Sequence, residues 1–401
     1  RGWMADWRKR IERFAHRVEE KIDTQREKLG LTGGRGRAPR IEAYRGYGSP
    51  DRAYLRGRVL RNPPIPAAAS HDSKWLNLAS MLQRFESDEV PHARVLVRAP
   101  GGDVEVTADE EGYFECWLHP DPPLSTSHLW HTIELELLHP REEGEPSGAR
   151  ASVLVPPPES AFGVISDLDD TVLRSDVTST LRMMRTVFFE NARTRMPYPG
   201  VAAFYRALEK GAGESPFNPI FYVSSSPWNF HDLLTEFLTV QKIPLGPLLL
   251  RDWGLSKEGV APGGNRSHKL EAIRRLLGIF PALPFILIGD SGQEDPEIYA
   301  EVVAENPDRI RAVYIRNVTP RPERLEAIRA LAGEVEAAGS ALLLCDDTLG
   351  AARHAAANGW IAESALDEIG QVAHAEEKPA PGGTAEVNRE LSTVPGDRRG
   401  A

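Results

Sequence analysis

The chain has 401 residues, 41% hydrophobic, 26% charged and 7% aromatic, which are ordinary globular proportions at a length that suits two domains with tails. No run reaches 18 apolar residues, the basic N-terminus scatters its apolar residues among charges, and the only cysteines are Cys116 and Cys345. A spanning helix, a secretory leader and a disulfide or four-cysteine zinc framework are therefore not expected, and a cytoplasmic setting is. A net charge of −10 argues against a general nucleic-acid binder.

That charge is unevenly spread. Residues 1–40 hold 12 Lys/Arg against 6 Asp/Glu, which leaves −16 on residues 41–401. Within 4–28, Trp7, Ile11, Phe14, Val18 and Ile22 recur every three or four positions, so the spacing predicts a helix with one apolar stripe and basic flanks. Two readings follow: an arm docked on the protein's own core, or an interfacial helix drawn to anionic lipid at the inner membrane face. The glycine-rich run from Gly30 to Gly36 ends the helix and forms a hinge.

Residues 41–157 read as a small β-sandwich-like domain. Apolar alternation marks strands at Tyr54–Leu60, Ala93–Val97, Val104–Val106, Tyr113–Leu118 and Ile133–Leu138, with a tight hairpin at Pro100-Gly101-Gly102-Asp103. His119, His128, His131 and His139 lack metal-ligand spacing. Pro156-Pro157-Pro158 is a stiff linker and the expected boundary.

From 158 to 367 the pattern changes. Continuous apolar runs at Phe162–Ser166, Ile220–Ser224, Pro247–Leu250, Phe285–Gly289, Ala312–Ile315 and Ala341–Leu344 alternate with helical patterns at Val201–Leu208, Phe230–Val240, His268–Leu277, Glu297–Val303 and Arg324–Ala338. This predicts an α/β fold, a parallel sheet with helices on both faces, whose site lies outside the carboxyl ends of the strands. After Asp367 the periodicity fades, and 368–401 reads as a disordered tail.

Polar residues collect where the strands end. The first run stops at Ser166-Asp167-Leu168-Asp169-Asp170-Thr171. Carboxylates crowded at the mouth of a buried sheet call for an offsetting cation, and oxygen ligands beside a phosphate suit Mg²⁺. On an extended segment Asp167 and Asp169 point to one side, so one can attack while the other handles the leaving group's proton. Ser224-Ser225-Ser226-Pro227-Trp228 offers hydroxyl and amide donors ahead of a helix N-terminus, although Ser225 and Ser226 read equally well as turn formers. Lys269 stands at a helix start. Asp290-Ser291-Gly292-Gln293-Glu294-Asp295 forms a second acidic cluster. Together these compose a phosphoryl-transfer site. Asp346 and Asp347 read as a helix cap, with a place in the site as the alternative, and Arg316 and Asn317 could touch a head group.

These motifs resemble the haloacid-dehalogenase-like (HAD-like) phosphatase superfamily. More narrowly, Gly163–Val172, Tyr222–Asn229, His268-Lys269 and Gly289–Tyr299 resemble the bacterial relatives of the yeast actin-patch phosphatidate phosphatase, over about residues 160–360. The resemblance implies a HAD-like Rossmannoid sheet and assigns Asp167 as nucleophile and Asp169 as the acid, then base. It places Thr171, Ser224 and Ser225 on the substrate and Lys269 against the intermediate's charge. Mg²⁺ falls to Asp167, Asp169, Asp290 and Asp295, the last by the longer spacing variant of its motif, with Glu294 as the alternative.

Between Thr171 and Pro199, apolar residues (Leu181, Met183, Met184, Val187, Phe188, Phe189) alternate with arginines. This insert reads either as a lipid-phosphate contact or as a helix packed on the core. The expected function is Mg²⁺-dependent hydrolysis of phosphatidate through an aspartyl-phosphate. Alternatives are another bulky phosphomonoester, from a phosphoprotein or a nucleic-acid end, and a non-catalytic adaptor.

Overall fold

The computed structural model describes residues 38–61, 89–142, 144–168, 198–213, 217–251, 264–318 and 321–377. The basic N-terminal helix, Asp169, Thr171, the apolar–arginine insert and the chain beyond 377 lie outside the described residues. No helix among the described residues is long and apolar enough to cross a membrane.

The described chain is mixed α/β and contains two sheets. The first has eight strands: β1 (Arg40–Ala43), β2 (Gly46–Ser49), β3 (Arg52–Leu60), β4 (Arg94–Arg98), β5 (Val104–Thr107), β6 (Tyr113–Leu118), β7 (Trp130–His139) and β8 (Gly148–Leu154). Their order is β1-β3-β2-β8-β7-β4-β5, with β6 on β3. Every pair is antiparallel except β2 with β8. The expected hairpin at 100–103 joins β4 to β5 in register Val97↔Val104. This is one curled sheet rather than two facing ones. The long β3 serves β1 and β2 along one edge and β6 along the other, and the curl brings β5 beside β6. Leu55, Val59, Val95, Val97, Ile133, Leu135 and Val153 fill its interior, the inward half of a period-2 alternation.

The second sheet is parallel throughout: β9 (Gly163–Asp167), β10 (Ile220–Pro227), β11 (Leu248–Arg251), β12 (Phe285–Asp290), β13 (Ile310–Arg316) and β14 (Leu342–Cys345). Strand order is β11-β10-β9-β12-β13-β14, so the order reverses between β9 and β12. In open α/β sheets ligands bind outside the strand ends at that reversal. Every residue of β9, β10 and β12 is buried, as expected for strands covered on both faces.

One face carries α1 (Val201–Lys210), α2 (His231–Val240), α6 (Thr348–Ala357) and α7 (Ala365–Glu377). The other carries α3 (Gly264–Ile279), α4 (Asp295–Glu305) and α5 (Pro322–Ala337). Helix α7 runs past the boundary expected at 367. Its sparse apolar residues hide the period, yet Ile369 and Ala373 are buried against α1, and the Glu376 carboxylate accepts from the Gly200 amide at 2.8 Å. Gly200 starts α1 at φ +77°, where a Cβ would lie 3.1 Å from that of Ala373. The two sheets share a core in which Tyr47, Tyr54, Leu129 and Leu154 join Phe221, Val223, Leu249 and Phe280.

Candidate active site

The site forms because three neighbouring strands turn polar at nearly the same level. Val223 of β10 is in register with Asp167, and Ile288 of β12 with Ser166. Ser224 and Asp290 therefore emerge on either side of Asp167. At the end of β9 the Ser166 hydroxyl donates to the Asp167 carbonyl at 2.6 Å and meets the Tyr205 hydroxyl at 2.8 Å, which fixes the last turn of the strand.

Lys269 reaches this mouth from α3. That helix starts at Gly264, earlier than its pattern suggests, so Lys269 sits in the second turn rather than at the start. Its Nζ lies 2.8 Å from Asp167 Oδ1 and 2.5 Å from Asp295 Oδ1. All three side chains are buried, with exposures of 2%, 0% and 0%. Burial works against the ammonium charge, but attraction to Asp167 and then Asp295 outweighs it and holds the lysine pKa well above its usual value. Such a cation stays charged and fixes both carboxylates.

Asp290 is also fully buried. Its Oδ1 accepts from the Gly292 and Gln293 amides at 2.6 and 3.1 Å, closing the loop after β12. Asp295 opens α4, and its Oδ2 accepts from the Asp290 amide at 3.2 Å. Between the two candidates of the last motif, Asp295 meets Lys269 while Glu294 is exposed. Gly289 makes this approach possible, because a Cβ there would lie 2.5 Å from Asp295 Oδ2 and 2.8 Å from the Tyr299 ring.

Oxygens of Asp167, Asp290 and Asp295 come within 4.8 Å of one another, the one such grouping among the described residues. Three buried carboxylates against one ammonium leave excess negative charge, and the donors are all hard oxygens. This set fits Mg²⁺, which takes few carboxylates and completes its shell with water and phosphate oxygens.

On the other flank, Ser224 Oγ accepts from the Ser226 amide at 3.0 Å, and Ser224, Ser225 and Ser226 are all buried. Trp228–Phe230 makes a 3₁₀ turn before α2. Asp347 caps α6, accepting from the Gly350 amide at 2.8 Å, while Asp346 accepts from Asn317 at 2.7 Å. Arg316 lies over the Tyr198 ring at 3.8 Å and donates to Thr348, tying the end of the insert to the sheet.

Sequence reading passed over Tyr205 and Arg324. Arg324 donates to the Ser291 and Gln293 carbonyls at 2.9 and 2.6 Å and pairs with Glu297, so it braces the Asp290 loop from α5. Its partners lie far away in the chain, and no local pattern marks it.

Residues 162–317 match the family described as phosphatidate phosphatase APP1, catalytic domain. The phosphatidate phosphatase APP1 of Saccharomyces cerevisiae is 34% identical over 156 residues, 39% of this chain and 26% of that protein. An uncharacterised protein of Schizosaccharomyces pombe is 28% identical over 252 residues, 60% of this chain and 40% of that one. The chain thus spans between a quarter and two fifths of the curated relatives it matches. A carbohydrate acetylesterase from Xanthomonas citri superposes with a TM-score of 0.26 at 11% identity, over 67% of this chain and 66% of that one, too slight a likeness to bear on fold or chemistry.

Proposed function

We propose that this chain is a Mg²⁺-dependent phosphatidate phosphatase, because residues 162–317 match the catalytic-domain family of phosphatidate phosphatase APP1. The observation that carries the reading is Lys269 held between Asp167 and Asp295, beside Asp290, at the reversal of the parallel sheet. The same reading makes the parallel half HAD-like and the curled sheet a domain of its own.

Asp167 attacks phosphorus, the P–O bond to the glycerol oxygen breaks, and Asp169 gives that oxygen its proton. Asp169 then takes a proton from water as the water oxygen attacks the aspartyl-phosphate, which frees Asp167 and releases orthophosphate. Lys269 offsets the repulsion between the Asp167 carboxylate and the anionic phosphoryl group, and Ser224 and Ser225 with Thr171 hold its oxygens. Asp167, Asp169 and Asp290 would hold Mg²⁺, and Asp295, grouped with the Asp167 and Asp290 carboxylates, would orient the ion's waters while also holding Lys269 and the Asp290 loop. Bound there, the ion supplies charge neutralisation of the phosphoryl oxygens.

Phosphatidate is a membrane lipid, and the basic segment 4–28, whose apolar spacing predicts a helix, would bring a cytoplasmic enzyme to an anionic surface. The test is phosphate release from phosphatidate in mixed micelles and from p-nitrophenyl phosphate, with Mg²⁺ and with EDTA. Lipid turnover that EDTA abolishes is the expected result. Turnover of the small ester alone would discard the lipid in favour of another phosphomonoester, and inactivity on both would leave an adaptor.

A further inference from the structure

The serine turn interrupts the pairing of β10 with β11. Val223 pairs with Leu249, and the next pair is Pro227 with Arg251. Four steps along β10 therefore oppose two along β11, and Ser224–Ser226 bulge out of the ladder. A bulge re-aims side chains, and what fixes its two ends helps to set their direction. The leading end is fixed by the register of Val223 with Asp167.

The trailing end is gripped by the other sheet. The Tyr44 ring stacks on Trp228 with centroids 5.0 Å apart at 15° and lies 4.1 Å from the His231 ring. The Arg56 guanidinium lies 4.6 Å from the centre of the Trp228 ring and 4.9 Å from that of Tyr113. The Tyr113 hydroxyl reaches Asn229 Oδ1 at 3.4 Å. Tyr44 and Arg56 are themselves joined, the Tyr44 amide donating to the Arg56 carbonyl at 3.0 Å. Tyr44, Tyr113 and Trp228 are buried, where stacked rings and a desolvated cation over a ring contribute most.

We infer that Tyr44 and Arg56 of the curled sheet are positioning residues for the phosphate-binding serine turn, acting through Trp228. This rests on the phosphatase reading above. The curled sheet is then part of the catalytic apparatus, and anything bound to it that disturbs Tyr44 or Arg56 changes affinity for the phosphoryl group.

The test compares Tyr44→Leu, Tyr44→Phe and Arg56→Gln with Arg52→Gln, a control that breaks a similar stack (Arg52 lies 4.0 Å from the Trp117 ring) away from the turn. Two quantities are read on the full chain: kcat and KM for p-nitrophenyl phosphate with Mg²⁺, and the inhibition constant of orthovanadate. Loss of one positioning contact is expected to raise KM and the vanadate constant together by about 10-fold in Tyr44→Leu and Arg56→Gln. Tyr44→Phe, which keeps the ring, and Arg52→Gln should match wild type. If Tyr44→Leu does not fold, Arg56→Gln carries the test, since it removes the guanidinium from over Trp228 and Tyr113 and its 3.6 Å ion pair with Glu115 but leaves the buried rings in place. Folded Tyr44→Leu or Arg56→Gln with wild-type KM and vanadate affinity overturns the inference while leaving the phosphatase standing. A wild type that neither turns over the ester nor binds vanadate overturns both.

Discussion

The two sheets solve the same burial problem with opposite distributions of polar groups. The curled sheet alternates, as in β7, where Ile133, Leu135 and Leu137 face inward and Glu134 and Glu136 outward. Its buried charge is Arg58, relieved by the partly exposed Glu89 at 2.9 Å. The parallel sheet is apolar along the length of β9, β10 and β12 and then turns abruptly polar, with Asp167, Ser224, Asp290, Asp295 and Lys269 all buried around the strand ends. Desolvated charges this dense are expensive to assemble, and a fold keeps them where they do chemistry.

The largest expected effect is at Lys269. Lys269→Met leaves Asp167 and Asp295 facing each other without their cation, and breaking a buried pair this way costs about 3–5 kcal/mol. Chemical denaturation should show that loss, together with abolished phosphate release. Arg58→Met in the curled sheet should cost less, about 1–2 kcal/mol, because Glu89 can turn to water. Equal losses would break the contrast.

A smaller effect separates two glycines. Gly289→Ala drives a methyl into Asp295 and the Tyr299 ring, an overpacking cost of about 1–3 kcal/mol accompanied by lower turnover. At Gly148→Ala in β8 the nearest atom is the Leu135 carbonyl oxygen at 3.7 Å, ordinary contact, so the thermal midpoint and the activity should stay at wild type.

The mildest effect lies at the seam between the sheets. Burial, aided by Arg45, pushes the His231 pKa down to about 3, against about 6.5 in the unfolded chain. Below pH 6.5 the unfolded chain takes up a proton that the folded chain refuses, so stability falls as pH drops toward 3, by at most about 2 kcal/mol at pH 5. His231→Phe keeps a ring against Tyr44 and should flatten that part of the pH–stability curve. An unchanged slope would mean that other groups carry it.

How much of this was legible in the sequence followed from how local each signal is. The strand ends were readable because apolar runs such as Phe285–Gly289 stop at Asp290, and a buried parallel strand leaves no other place for a carboxylate. Lys269 was readable as a cation at the head of a helix pattern, but its placing between two particular carboxylates was not. The curled sheet was read less completely: β1, β2 and β8 are short or mix Arg, Gly and Ser among their apolar residues, and the sandwich proved to be one sheet because nothing local shows that β3 pairs with three partners. The contacts of Tyr44 and Arg56 with Trp228, and of Arg324 with the Asp290 loop, join residues far apart in the chain, and no spacing rule reaches them.

The most direct test of the central claim is Mg²⁺-dependent phosphate release by wild type and Asp167→Asn, with circular dichroism to verify the fold of each. The Asp167 carboxylate is proposed as the nucleophile that bonds phosphorus, so Asp167→Asn should remain folded and lose turnover by about a thousandfold or more. A folded Asp167→Asn that releases phosphate at the wild-type rate would contradict the assignment of this strand end as the reacting centre.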